Sequence, residues 1–119
     1  MRLIKTTAVS PLPETSSMGQ EASLKRAIRA AKRGNSVEHP NVALTFIDLG
    51  DFYARSENFE QSEGAYRAAV EIYENLGVGH ELLLAMALRS LSNVLFAQRK
   101  SSESAACDHR AQRLILNFQ

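Results

Sequence analysis

His39-Pro40-Asn41-Val42-Ala43-Leu44-Thr45-Phe46-Ile47-Asp48-Leu49-Gly50-Asp51-Phe52-Tyr53-Ala54-Arg55 is the stretch that decides the fold. Pro40 stands where a helix's first turn begins, a place where its missing N–H is no loss. Val42, Ala43, Phe46, Leu49, Gly50 and Tyr53 then recur at three- and four-residue steps, the stripe of an amphipathic helix. Ser56-Glu57-Asn58 makes a short turn, and Asn58 followed by Gln61 has the spacing of a capping box that opens a second helix. That helix carries its own stripe, Ala65, Tyr66, Ala69, Ile72 and Tyr73, and stops at Asn75-Leu76-Gly77-Val78-Gly79. Residues 40–75 therefore read as one helix pair.

The pair repeats. Shifting the chain on itself by 42 residues lays Ala22, Gly64 and Ala106 in one column and Ala27, Ala69 and Ala111 in another. Lys25, Arg67 and His109 share a third column. In the other half of the repeat, Phe46 falls over Leu88, Leu49-Gly50 over Leu91-Ser92, Tyr53 over Leu95, and Ser62 over Ser104. Small residues held in register imply close helix–helix approach at fixed intervals, since only a missing side chain lets backbones come near. Self-similarity at such a period signals a stacked array whose units bury their apolar faces against one another.

The remaining elements follow from the same register. A helix over about 17–33, capped by Ser16 or Ser17 and closed by Gly34-Asn35, precedes the pair and turns Leu24, Ala27, Ile28 and Ala31 inward. Helices over about 82–98 and 101–116 follow it. Residues 1–16 read as a flexible leader and 17–119 as the helical domain. No stretch alternates as a strand would, apart from residues 2–9 of that leader. The fold class is all-α, about two and a half helix-turn-helix repeats wound as a solenoid.

The spacing Phe46…Leu49-Gly50…Tyr53…Ser62…Tyr66…Ala69 resembles the tetratricopeptide repeat. The 42-residue period and the opening His39-Pro40-Asn41-Val42-Ala43 are most similar to the kinesin-light-chain type of that repeat. The resemblance covers about residues 17–114, as a second half-repeat, a full repeat and a degenerate one. In the last repeat Asp108 stands where a large apolar residue is expected, and Ser92 replaces the glycine. The resemblance implies a non-catalytic scaffold that holds a peptide or partner protein in a groove lined by the first helix of each pair. The columns that face the groove in such repeats fall on Leu44, Ile47, Asp51 and Ala54, then on Met86, Arg89, Asn93 and Phe96, with Asp48 and Arg55 flanking. Chaperone-binding members clamp a carboxylate with a set of lysines and asparagines, which Ile47, Asp51 and Met86 do not supply.

The residues support the groove on their own terms. Asp48, Asp51 and Arg55 lie three and four apart and can present a charge-paired strip. Arg89, Asn93 and Phe96 are spaced four and three apart, so the two polar groups can meet backbone or carboxylate beside an aromatic anchor. A second reading is self-assembly through open repeat ends: one before the first helix, the other at the apolar tail Leu114, Ile115, Leu116 and Phe118. A third is an anion or nucleic-acid patch on Lys25, Arg29, Lys32 and Arg33, although no aromatic side chain interleaves with these bases to stack on. A solvated outer face explains them more simply.

Composition closes off other classes. The chain has 119 residues, 45% of them hydrophobic and 23% charged, with a formal net charge of +1. Residues 1–37 hold seven bases against two acids, residues 38–81 two against nine, and residues 82–119 five against two. That basic–acidic–basic order favours self-association or a partner of mixed charge. Cys107 has no partner for a disulfide scaffold, and its position in the second-helix column reads as a small buried thiol. His39, His80 and His109 have no paired ligand spacing, and the first two fall in matching turns. No cofactor, metal or catalytic constellation is expected, nor any membrane segment, and the chain reads as cytoplasmic by default.

Overall fold

The computed structural model describes the backbone of residues 13–34 and 39–118, and the side chains of 19–30, 32–33 and 39–117. These residues form α1 (Pro13–Gly34), α2 (Pro40–Arg55), α3 (Phe59–Leu76), α4 (Glu81–Ala97) and α5 (Ser101–Phe118), with no strand among them. α1 opens at Pro13, not at Ser16 or Ser17, because a proline is already set for a helix's first turn. Residues 2–9 and Asn35, where a strand and a helix stop were expected, lie outside the described residues. α2 has the expected bounds, and the other three helices fall within one or two residues of theirs.

Each helix packs on the next along the chain, α1 on α2, α2 on α3, α3 on α4 and α4 on α5. One core runs through α2 to α5, built on Val42, Tyr66, Ala69, Ile72, Tyr73, Leu88, Leu91, Leu95 and Ala111. A second, smaller core docks α1, where Ile28 meets Leu49, Phe52, Tyr53 and Ala65. Tyr53 also donates its hydroxyl to Glu21, which ties α1 to α2. The expected stripe of α3 is buried throughout.

The two helix pairs use the same bonds one period apart. Ser62 Oγ donates to the Gly50 carbonyl at 2.7 Å, and Ser104 Oγ donates to the Ser92 carbonyl at 2.9 Å. Ser92 Oγ adds a return bond, lying 3.0 Å from the Ser104 carbonyl. The turns match as well. Asn58 N–H reaches back to Tyr53 O and Glu57 N–H to Ala54 O, a Schellman closure. Lys100 N–H to Leu95 O and Arg99 N–H to Phe96 O repeat it. Both turns need a left-handed residue, supplied by Glu57 at φ 61° and Arg99 at φ 66°. The turn between α3 and α4 instead uses Gly77 and Gly79 at positive φ.

Several sequence expectations change in three dimensions. Asn58 occupies the N-cap of α3 but makes no side-chain cap bond, because its backbone is committed to the preceding Schellman turn. The column Ala22, Gly64, Ala106 faces solvent rather than a neighbouring helix, and a Cβ on Gly64 would meet nothing within 4 Å. Ala27 is exposed although its counterparts Ala69 and Ala111 are fully buried. Those two sit inside complete helix pairs; no described helix precedes α1 to cover Ala27. Cys107 is half-buried rather than enclosed, and burial pushes its thiol up. Phe52, off the expected stripe, is buried because it faces α1.

Candidate partner-binding groove

The expected groove residues divide between two places. Leu44, Ile47 and Asp51 of α2 line a cavity of about 230 Å³ with Tyr73 of α3 and with Leu83, Met86, Ala87 and Ser90 of α4. Arg89 and Asn93 line a larger, more open hollow of about 530 Å³ with Asp108 and Ile115 of α5. Met86 and Ser90 border both. Asp48, Arg55 and Phe96 line neither, and all three are exposed.

The α2–α4 cavity has an apolar floor and a polar wall. Leu44 is 49% exposed and Met86 59%, and Leu83 beside them is exposed as well. Asp51 does not pair with Arg55. The hydroxyl of Tyr66 donates to its carboxylate instead, since a hydroxyl on a buried ring needs an acceptor while an exposed guanidinium is served by water. Burial, and then that carboxylate, push the Tyr66 phenol up. Burial and the neighbouring Asp48 raise the Tyr73 phenol in the same sense. Both tyrosines therefore stay neutral, Tyr73 on the cavity wall and Tyr66 bonded to Asp51.

In the α4–α5 hollow, Arg89 Nε lies 3.8 Å from Asp108 Oδ1, with both side chains more than half exposed. Such a pair is loose and contributes little to stability. Asp108 is the groove residue that sequence reasoning missed. It reads as a defect in the apolar column headed by Tyr66, and the only signal was that a charge there must face something open.

The turn histidines behave differently from each other. His39 caps α2, its Nδ1 accepting from Asn41 N–H at 3.0 Å. His80 precedes α4 without a side-chain cap bond and stacks on Tyr73, ring centroids 6.4 Å apart. The four basic residues of α1 expected to form an anion patch are not a free set. Lys25 pairs with Glu21 at 3.3 Å, and Lys32 Nζ sits 5.6 Å over the Phe46 ring, while Arg29 and Arg33 are exposed. The Tyr53 hydroxyl, with Lys25 beside it, holds the Glu21 carboxyl below the usual carboxylate range. Among the described residues no three His, Cys, Asp or Glu side chains gather as metal ligands, and no helix is long and apolar enough to cross a membrane.

The geometry accords with known proteins. A solved structure, the crystal structure of BtubC (BKLC) from P. vanneervenii, superposes with a TM-score of 0.79 at 22% identity over 82% of this chain. The match covers 39% of that chain, so the likeness is one of fold. No curated protein matches the sequence. A family model described as tetratricopeptide repeat matches residues 41–114. With the 42-residue register, the paired helices and that match in agreement, the chain belongs to the tetratricopeptide-repeat family.

Proposed function

We propose that this chain is a non-catalytic scaffold that holds a segment of a partner protein in the groove between α2 and α4. Repeats of this family commonly mediate protein–protein interaction and are generally non-catalytic. The observation that carries the reading is the exposed apolar pair Leu44 and Met86 beside a cavity of about 230 Å³, with the Asp51 carboxylate on its wall. Leu83, exposed on the facing helix, completes a binding stripe between two rigid elements. An apolar anchor of a partner fits the floor, and its backbone N–H groups or a cationic side chain meet Asp51.

Peptides selected from a random display library against the immobilised protein test this. Leu44→Glu with Leu83→Glu is expected to weaken selected peptides at least tenfold, with the thermal midpoint measured alongside because the two side chains are only 49% and 37% exposed. Peptides whose binding survives both substitutions would place the working surface elsewhere.

A further inference from the structure

Sulfur occurs at two places among the described side chains, Met86 on α4 and Cys107 on α5. Their surroundings differ. Met86 is 59% exposed and lines both hollows, the cavity of about 230 Å³ against α2 and the open one of about 530 Å³ against α5. It is a member of neither apolar core, nor of the half-buried side chains packed on them. Its thioether is therefore open to small solutes, while the fold does not lean on it. Cys107 is half-buried, and burial pushes its thiol up, so little of the reactive thiolate is present near neutral pH. Of the two sulfurs, Met86 is the one that an oxidant in solution meets first.

We infer that Met86 is a reversible oxidation site that regulates the groove: its sulfoxide makes part of the apolar floor polar and releases the bound segment, and reduction restores it. The inference rests on the groove reading given above. In the forward step a sulfur lone pair attacks one oxygen of hydrogen peroxide, and the S–O bond forms as the O–O bond breaks. The departing hydroxide takes the proton of the transferred oxygen and leaves as water; sulfur gives up two electrons and the peroxide gains them. In the reverse step, run by methionine sulfoxide reductases, a dithiol supplies two electrons, closes to a disulfide, and the sulfoxide oxygen leaves as water. The thioether is a soft apolar surface that adapts to a partner's apolar anchor. The sulfoxide instead carries a strong acceptor, which costs free energy whenever an apolar group covers it. Arg89, Ser90 and Asn93 line the open hollow with Met86 and bring donors for that oxygen, which favours the oxidised form of the empty site. Because Met86 lies outside both cores, the change reaches the docking surface and spares the fold.

The test treats the full chain with dilute hydrogen peroxide and follows tryptic peptides by mass spectrometry. Peptide 68–89 carries Met86 as its only sulfur, and peptide 101–110 carries Cys107. Met86 is expected to gain one oxygen before Cys107 is modified, at a rate within about tenfold of that of the isolated 68–89 peptide. Peptides selected against the untreated protein are expected to bind the oxidised chain at least about fivefold more weakly. The thermal midpoint is expected to stay the same, and the affinity to recover after treatment with the reductases and a dithiol. Met86→Leu is expected to keep through peroxide whatever affinity it has before it, and Met86→Gln to bind weakly without any oxidant. Oxidation of Met86 more than about tenfold slower than in the isolated peptide would overturn the assignment. So would an equal loss of affinity in peroxide-treated Met86→Leu, or a midpoint that falls as Met86 is oxidised, which marks a lesion of the fold. Peptides released by Leu44→Glu with Leu83→Glu but not by the sulfoxide would overturn the regulation and leave the groove reading standing. Peptides indifferent to both would overturn the groove reading, and the regulation with it.

Discussion

The ring of Tyr66 fills the space that a side chain on Gly50 would need: a Cβ there would lie 2.6 Å from the Tyr66 ring. One repeat later the two positions are Ser92 and Asp108. With the ring gone, the side chain at 92 is tolerated, buried, and bonded to Ser104. Glycine-with-tyrosine and serine-with-aspartate are two solutions of one packing problem. The second repeat is therefore a complementary exchange rather than a decayed copy.

Gly50→Ala is expected to destabilise the chain by about 1–3 kcal/mol, since the ring is held in the core and cannot swing clear. Tyr66→Ala alone is expected to cost about 3–5 kcal/mol through lost burial. Combined, the two are expected to fall well short of additive, because the alanine at 50 no longer meets a ring. Urea unfolding of the four proteins measures the coupling; strict additivity would show that the two residues do not compete for space.

The serine pair makes the last repeat. Ser92→Ala is expected to cost about 1 kcal/mol, the net worth of a buried hydroxyl bond. Ser104→Ala should cost as much, and the double variant about the sum of the two, because each hydroxyl donates to the other residue's carbonyl. Hydrogen exchange in α5 is expected to rise in all three. Unchanged protection there would mean that apolar packing of Ala111, Leu114 and Ile115 alone holds the helix.

Glu57 and Arg99 occupy the left-handed position of the two matched turns, a conformation disfavoured for residues with a Cβ. Glu57→Gly and Arg99→Gly are each expected to stabilise the fold by about 0.5–1 kcal/mol. The two should add, as the turns share no partner in their backbone closures. Thermal midpoints that fall on either substitution would show that the side chain, not the backbone, decides the turn.

The α2 and α3 stripes were legible because helical period and burial coincide inside a complete pair, as at Val42, Ala69 and Tyr73. Phe52 was not, because what buries it is α1, a contact outside the pair whose spacing was being read. The 42-residue register likewise named the outward columns, but a column does not tell whether another helix follows. That is why Ile47 and Arg89, alike in register, line different cavities. The cap expected of Asn58 failed for a local reason: the turn before it claims the backbone first.

Glu63 is the polar tie between the two helix pairs. Its carboxylate accepts from Arg67 Nε at 2.8 Å, Gln98 Nε2 at 2.9 Å and Lys100 Nζ at 3.0 Å, joining α3 to the α4–α5 turn. Burial opposes its charge, but the three bonds outweigh it and hold the carboxyl at about 2 against an ordinary 4.5. A folded-state value below the unfolded one means that the stabilisation is complete above about pH 4.5. It is lost as pH falls toward 2 and the carboxylate is protonated. Glu63→Gln removes this dependence while keeping the shape. At pH 7 the variant is expected to be less stable by about 1–3 kcal/mol, the worth of hydrogen bonds to a charged group. At pH 2 the two proteins should converge, because other titrating acids are common to both. Urea midpoints followed by circular dichroism from pH 7 down to 2 give both curves. If the gap between them stays constant across that range, the three bonds do not depend on the charge; if there is no gap at pH 7, Glu63 does not tie the repeats together.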